Sequence, residues 1–185
     1  MAKIAVVYHS GFGHTKAVAE AVARGAGEVA GTEVSLISVE EYSERAAELD
    51  AADGIVFGAP TYMGSASAQF KTFMDATGKT WYQQIWKDKL AAGFTCSASQ
   101  SGDKLSTLQQ LATFAMQHGM IWVSLGLLPG NNHSKGSIND LNRLGSFLGA
   151  MVQANNDQGA DGIPTSDLDT AAHLGRRIAG LAAKR

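Results

Sequence analysis

Cysteine occurs once, at Cys96, which excludes an intrachain disulfide and a cysteine-based zinc site and suits a reducing cytoplasm. Metal-ligand spacing is also absent, because the five histidines form neither HxxxH nor HExxH. Proline is scarce, three residues against 21 glycines, so tight turns and close backbone approaches are expected in place of rigid linkers. Charge is low as well: 17% of residues, 15 basic and 17 acidic, with a net charge of −2 and no run of one sign. That balance removes the electrostatic footprint of a nucleic-acid binder. Long hydrophobic runs are missing, and the N-terminal Met-Ala-Lys-Ile-Ala-Val-Val-Tyr segment is too short for a signal peptide or a membrane span. No G-x-S-x-G nucleophile elbow occurs either. The expected partners are small molecules or further copies of the chain, with no nucleic acid and no membrane.

At 185 residues and 45% hydrophobic, the chain is long enough to bury a core without staples. Ile4 to Tyr8 is a continuous apolar run, the pattern of a strand covered on both faces. Further strands are expected at Val34 to Val39, Gly54 to Phe57, Leu90 to Cys96 and Met120 to Leu125. Helical spacing marks His14 to Glu28, Ala66 to Ala76, Lys104 to Gln117 and Ser166 to Ala183. Alternation of strand and helix points to an α/β fold with a doubly wound parallel sheet, whose ligands bind beyond the carboxyl ends of the strands. The stretch from Gly126 to Pro164 stands apart, rich in Gly, Asn, Ser and Asp with an apolar patch at Leu144 to Val152. Loops of that length are functional or mobile, or else disordered insertions.

After the first strand comes Ser10-Gly11-Phe12-Gly13-His14-Thr15, running into a helix. Unpaired amides at a helix N-terminus, two hydroxyls and two glycines make an anion site. A nucleoside-triphosphate loop needs GxxxxGK[ST], which is missing, and a dinucleotide fingerprint needs a third glycine where Lys16 stands. A tight turn without a ligand stays open.

Ser10-x-x-Gly13-His14-Thr15 after an N-terminal strand resembles the phosphate loop of flavodoxin-like proteins, in particular the NAD(P)H:quinone oxidoreductases of the WrbA type. Gly58-Ala59-Pro60-Thr61-Tyr62-Met63-Gly64, followed by Gln69-Phe70-Lys71-Thr72-Phe73-Met74-Asp75, is similar to that family's second flavin loop and the helix after it. Trp81, the loop Ser97 to Gly102, and His118-Gly119-Met120 are similar in order and spacing. The likeness spans most of residues 3 to 125 and fades from Gly126 to Ile163.

The resemblance implies a flavodoxin-like five-stranded parallel sheet of order 2-1-3-4-5, helices on both faces, and one FMN-binding domain over residues 1–185. It assigns Ser10, Gly11, Phe12, Gly13, His14 and Thr15 to the phosphate, and Pro60, Thr61, Tyr62, Met63 and Gly64 to the isoalloxazine ring. Ser97, Ala98, Ser99 and Gly102 fall to the ribityl chain and ring edge. Trp81 is implied over the exposed flavin face, and His118 near the pyrimidine edge, where a donor stabilises charge developing on reduction. The reaction implied is hydride transfer from NADH or NADPH through FMN to a quinone or another flat acceptor such as a nitroaromatic. A flavodoxin-type electron carrier and an FMN-binding interaction or stress protein without turnover stay open. The small net charge argues against the carrier. Relatives of this type form tetramers whose neighbouring subunits wall the active site, which implies a homo-oligomer, dimer or tetramer. Phe147 to Val152 would be the contact, or a short buried helix.

Overall fold

Ile4, Val6 and Tyr8 alternate with Ala5 and Val7 along the first strand, and the two sets enter different cores. Period-two alternation with both faces apolar is what a central parallel strand requires. The computed structural model describes residues 1–185. In chain order its elements begin with β1 (Ala2–Tyr8), α1 (His14–Gly27), β2 (Thr32–Ser38), α2 (Tyr42–Ala51) and β3 (Gly54–Tyr62). Next come β4 (Ser65–Ala66), α3 (Ala68–Ala76), α4 (Gly78–Tyr82), β5 (Leu90–Ser97) and α5 (Lys104–Gln117). The chain continues through β6 (Ile121–Trp122) and β7 (Ala150–Gln153) to α6 (Thr165–Ala182).

The main sheet runs β2-β1-β3-β5-β6, all parallel, with β7 also parallel to β5 and the short β4 antiparallel to β3. α1 and α6 cover one face, with Val18, Val22, Leu174 and Ile178 in its core. On the other face Leu49, Phe70, Phe73, Trp86, Leu108 and Phe114 form the second core. Each such side chain contributes about 1.5–3 kcal/mol on burial, so both layers stabilise the sheet that carries the loops.

The fifth sheet position differs from expectation. Met120 to Leu125 forms a strand only at Ile121–Trp122, beside Leu90 and Ala91. Ala150–Gln153 takes the outer half of the same edge, beside Phe94 to Ser97. The apolar patch is therefore neither a helix nor, for the most part, a contact face: Ala150 and Val152 are buried in the sheet, and Phe147 alone of its large side chains is well exposed. Two helices go beyond the sequence reading, α2 and α4. α2 buries only Leu49 and so lacks a wide apolar stripe. Its signal was the capping box ahead of it, where the Ser38 N–H donates to Glu41 Oε2 at 2.9 Å.

α1 and α6 touch backbone to backbone. A Cβ on Gly25 would fall 1.9 Å from the Ala172 carbonyl oxygen, and one on Gly175 would fall 2.0 Å from that of Val22. Only glycine permits this crossing.

The segment between β6 and β7 is ordered by its own polar side chains. Asn142, buried with φ 50°, donates from Nδ2 to the Ser146 carbonyl and accepts the Ser146 N–H, both at 2.9 Å. Asp140 Oδ2 accepts the N–H groups of Asn131 and Ser137 at 2.9 Å each. Arg143 makes a bidentate pair with Asp167 of α6 at 2.7 and 2.8 Å, and Asp167 also accepts the Gln153 N–H at 2.9 Å. Both ion-pair side chains are almost wholly buried.

Candidate active site

The chain leaves β1 toward β2 on one side and returns to β3 on the other, so a crevice opens beyond the carboxyl ends of β1 and β3. A cavity of about 490 Å³ lies there. Ser10, Phe12, His14 and Thr15 line it from the first loop, Pro60, Thr61 and Tyr62 from the second, and Ser97 and Ala98 from the third. Gly13, at φ 88°, caps α1 without a side-chain hydrogen bond, and no acidic residue occupies the first turn. Ser10 Oγ is buried with no partner at all. Gly11 gives the second loop room, since a Cβ there would sit 2.8 Å from the Tyr62 hydroxyl.

Tyr62 and Ser65 pair across a two-residue turn in which Met63 and Gly64 have φ of 50° and 78°. Two left-handed residues make this a type I′ hairpin, a conformation disfavoured for methionine. Met63 nonetheless stands fully exposed at the tip, and the exposed Phe12 ring meets the neighbouring Tyr62 edge-on at 6.4 Å. Exposed apolar side chains held at a strained turn point to use. Ser99 and Gly102 do not line the cavity; their carbonyls accept from Lys104 Nζ and Ser97 Oγ. Sequence reasoning missed four lining residues: Cys96, and Ala154, Asn156 and Gln158 from the segment after β7. His14 Nε2 donates to the Gln158 carbonyl at 2.8 Å, closing that segment over the phosphate loop.

Trp81 and His118 lie elsewhere. They line a separate cavity of about 670 Å³ between α3, α4 and α5, with Lys71, Asp75, Gln109 and Gln110. Gln110 Oε1 accepts Ser65 Oγ at 3.0 Å and the Ala66 N–H at 3.3 Å, so the hairpin stands between the two cavities. Within one chain the expected grouping of Trp81 and His118 with the phosphate loop does not occur. The physical reason is that His118 ends α5 at the opposite end of the helix from the third loop.

Residues 2–135 match the family model described as NADPH-dependent FMN reductase. The chain belongs to that family. It is 48% identical over 183 residues to flavodoxin FldP of Pseudomonas aeruginosa, covering 97% of this chain and 96% of that protein. It is 35% identical over 205 residues to an NAD(P)H dehydrogenase (quinone) of Chromohalobacter salexigens, covering 100% and 98%. A solved flavodoxin, WrbA-like protein from Agrobacterium tumefaciens superposes with a TM-score of 0.79 at 40% identity, over 100% of this chain and 99% of that one. Membership in the FMN reductase family makes this chain an oxidoreductase that works with FMN and NAD(P)H. The first loop fits such a cofactor: an unpartnered buried hydroxyl beside an uncapped helix N-terminus is what a phosphate ester would satisfy.

In this FMN reductase family member His118 is a buried, neutral imidazole. Thr77 Oγ1 donates to the Met74 carbonyl at 2.7 Å, so at 3.0 Å from His118 it accepts, and Nε2 carries the proton. Nδ1 is then a lone-pair acceptor, buried and without a partner. The ring packs on Trp86 at 4.5 Å and against Phe114 at 4.8 Å. Burial pushes its pKa down to about 4 from 6.5. Because the unfolded chain binds the proton first, stability should fall as pH drops from about 6.5 through 4. Replacing His118 with phenylalanine should flatten that slope in denaturant titrations between those values; an unchanged slope would assign the dependence to other groups.

Proposed function

We propose that this chain reduces quinones, and other flat acceptors, by two electrons drawn from NADH or NADPH through FMN held in the crevice beyond β1, β3 and β5. The observation that carries the reading is the orphaned Ser10 hydroxyl at the uncapped N-terminus of α1. Bound FMN supplies hydride acceptance from the nicotinamide and hydride delivery to the acceptor. The rest is the work of the protein. Ser10, Thr15 and the amides of residues 11–15 hold the phosphate, with Phe12 and His14 flanking it. Pro60, Thr61, Tyr62, Met63 and Gly64 present backbone and apolar surface to the ring, and Ser97 and Ala98 at the start of the third loop border its polar edge. Asn156 and Gln158 exclude water from the phosphate side.

Trp81 and His118 enter this reading from a second copy. Trp81 is exposed at the second cavity and Phe12 and Tyr62 at the crevice, so a second copy could set its Trp81 opposite the crevice wall of the first, which has no tryptophan of its own. A homo-oligomer, dimer or tetramer, would bring donor and acceptor in turn into one slot between them. The lone buried cysteine suits a reducing cytoplasm, and no helix is long and apolar enough to cross a membrane. A second reading, an electron carrier, draws on the similarity to flavodoxin FldP. The net charge of −2 gives it little steering field.

The deciding experiment is anaerobic visible spectroscopy of the FMN-loaded protein. Bound-flavin absorption should bleach with NADH or NADPH and return with benzoquinone, with no partner protein added. Bound flavin that stays oxidised would favour the carrier, and failure to bind FMN would reject both.

A further inference from the structure

Lys104 opens α5, and its side chain is fully buried. Two effects oppose a cation there: loss of its water, and the positive pole of the helix whose first turn it occupies. Its Nζ donates to the carbonyls of Ser99 at 2.5 Å and Gln100 at 3.2 Å, which fixes the back of the third cofactor loop. Burial pushes the ammonium down to about 8, so it still carries its proton at neutral pH.

The groups acting on Lys104 are Cys96, Asp167 and Arg143. The Cys96 thiol, pushed up to about 12 by burial, is neutral. Asp167 is already matched by the bidentate Arg143 pair. Two cations thus face one anion, and one positive charge is left over inside the protein. On the outer side of the same wall, Cys96, Ser97 and Ala98 face the cavity.

We infer that Lys104 is a positioning residue whose uncompensated charge, held behind the Ser97 to Gly102 loop, favours reduced over oxidised FMN. The inference rests on the cofactor placement proposed above. When NAD(P)H departs as NAD(P)⁺, the hydride leaves the accepting ring with one bond to hydrogen, two more electrons and one more negative charge. A cation bonded to the back of this loop and shielded from water attracts that charge far more strongly than a surface lysine would. No proton passes to or from Lys104, and it touches neither substrate nor cofactor.

The test is the two-electron midpoint potential and FMN dissociation constant of the loaded protein and three variants. Lys104→Gln keeps an amide donor for the loop but removes the charge. Its affinity for reduced FMN should drop about tenfold relative to oxidised FMN, a fall of about 30 mV. Lys104→Arg should stay near the native potential. Asp167→Asn, which removes the anion instead, should move the potential upward. A purely structural role predicts no such opposition of sign. Loaded variants that keep the native potential, or that shift it in the same direction, overturn the inference. Should Lys104→Gln fail to fold, the sign of the Asp167→Asn shift decides. Failure of the native chain to bind FMN would be a failure of the proposed function instead.

Discussion

Replacing Ser10 with alanine is expected to leave the apoprotein at least as stable as the native chain while FMN binds about tenfold to a hundredfold more weakly. A buried serine ordinarily loses stability on truncation because its hydroxyl has a partner in the protein. Ser10 Oγ has none, so its removal relieves a desolvated polar atom and breaks no bond. The affinity loss follows from one charge-assisted hydrogen bond to phosphate, worth about 1.5–3 kcal/mol. Adding Thr15→Ala, in the first turn of α1 on the same wall, should carry the loss beyond about a hundredfold by the same reasoning. Thermal unfolding of the apoproteins and fluorescence titration with FMN measure the two halves separately. A destabilised apoprotein would mean that Ser10 serves the fold, and native affinity in the double variant would remove the phosphate loop from the site.

Arg143→Ala should cost about 3–5 kcal/mol, a large share of the 5–15 kcal/mol that holds a typical domain together. Truncation leaves the Asp167 carboxylate buried beside β7 with the Gln153 N–H as its one remaining hydrogen-bond donor and Lys104 as the one cation still acting on it. β7, the segment from Val123 to Gly149 and α6 all meet at this pair, so unfolding should start there. Urea denaturation of Arg143→Ala and of the double variant Arg143→Met with Asp167→Leu distinguishes mechanisms. The double variant should recover most of the loss, since apolar replacements of the pair add no stranded charge beyond that of Lys104, which the native protein already carries. A double variant as unstable as the single one would mean that the hydrogen bonds themselves, and not the charge, hold the segment.

Local patterns made much of this fold legible. The run at Ile4 to Tyr8 and the glycines and hydroxyls after it defined β1 and its loop, because strand period and turn chemistry are encoded within a few residues. The second and third loops were placed by likeness to relatives and not by local pattern, and of them Pro60 to Tyr62 and Ser97 to Ala98 reach the cavity. What stayed hidden depends on distance along the chain. Ala150 to Gln153 is too short to announce a strand, and it becomes one only because Phe94 to Ser97 offers an open edge. Asn156 and Gln158 carry no motif and reach the cavity because β7 delivers them there. His118 was placed by likeness to relatives, whose geometry one chain alone does not reproduce. Lys104 looked like an ordinary helix-start lysine, and only burial sets it apart.

The glycine crossing between α1 and α6 ties cofactor affinity to a helix that does not line the crevice. α6 braces the helix whose opening turn is the proposed phosphate site. Without that brace the groove along Val22, Gly25 and Ala26 would face water, and the turn at Gly13 would lose its support. A side chain introduced at Gly175 is therefore expected to weaken FMN binding from the far side of α1, without touching any residue of the site.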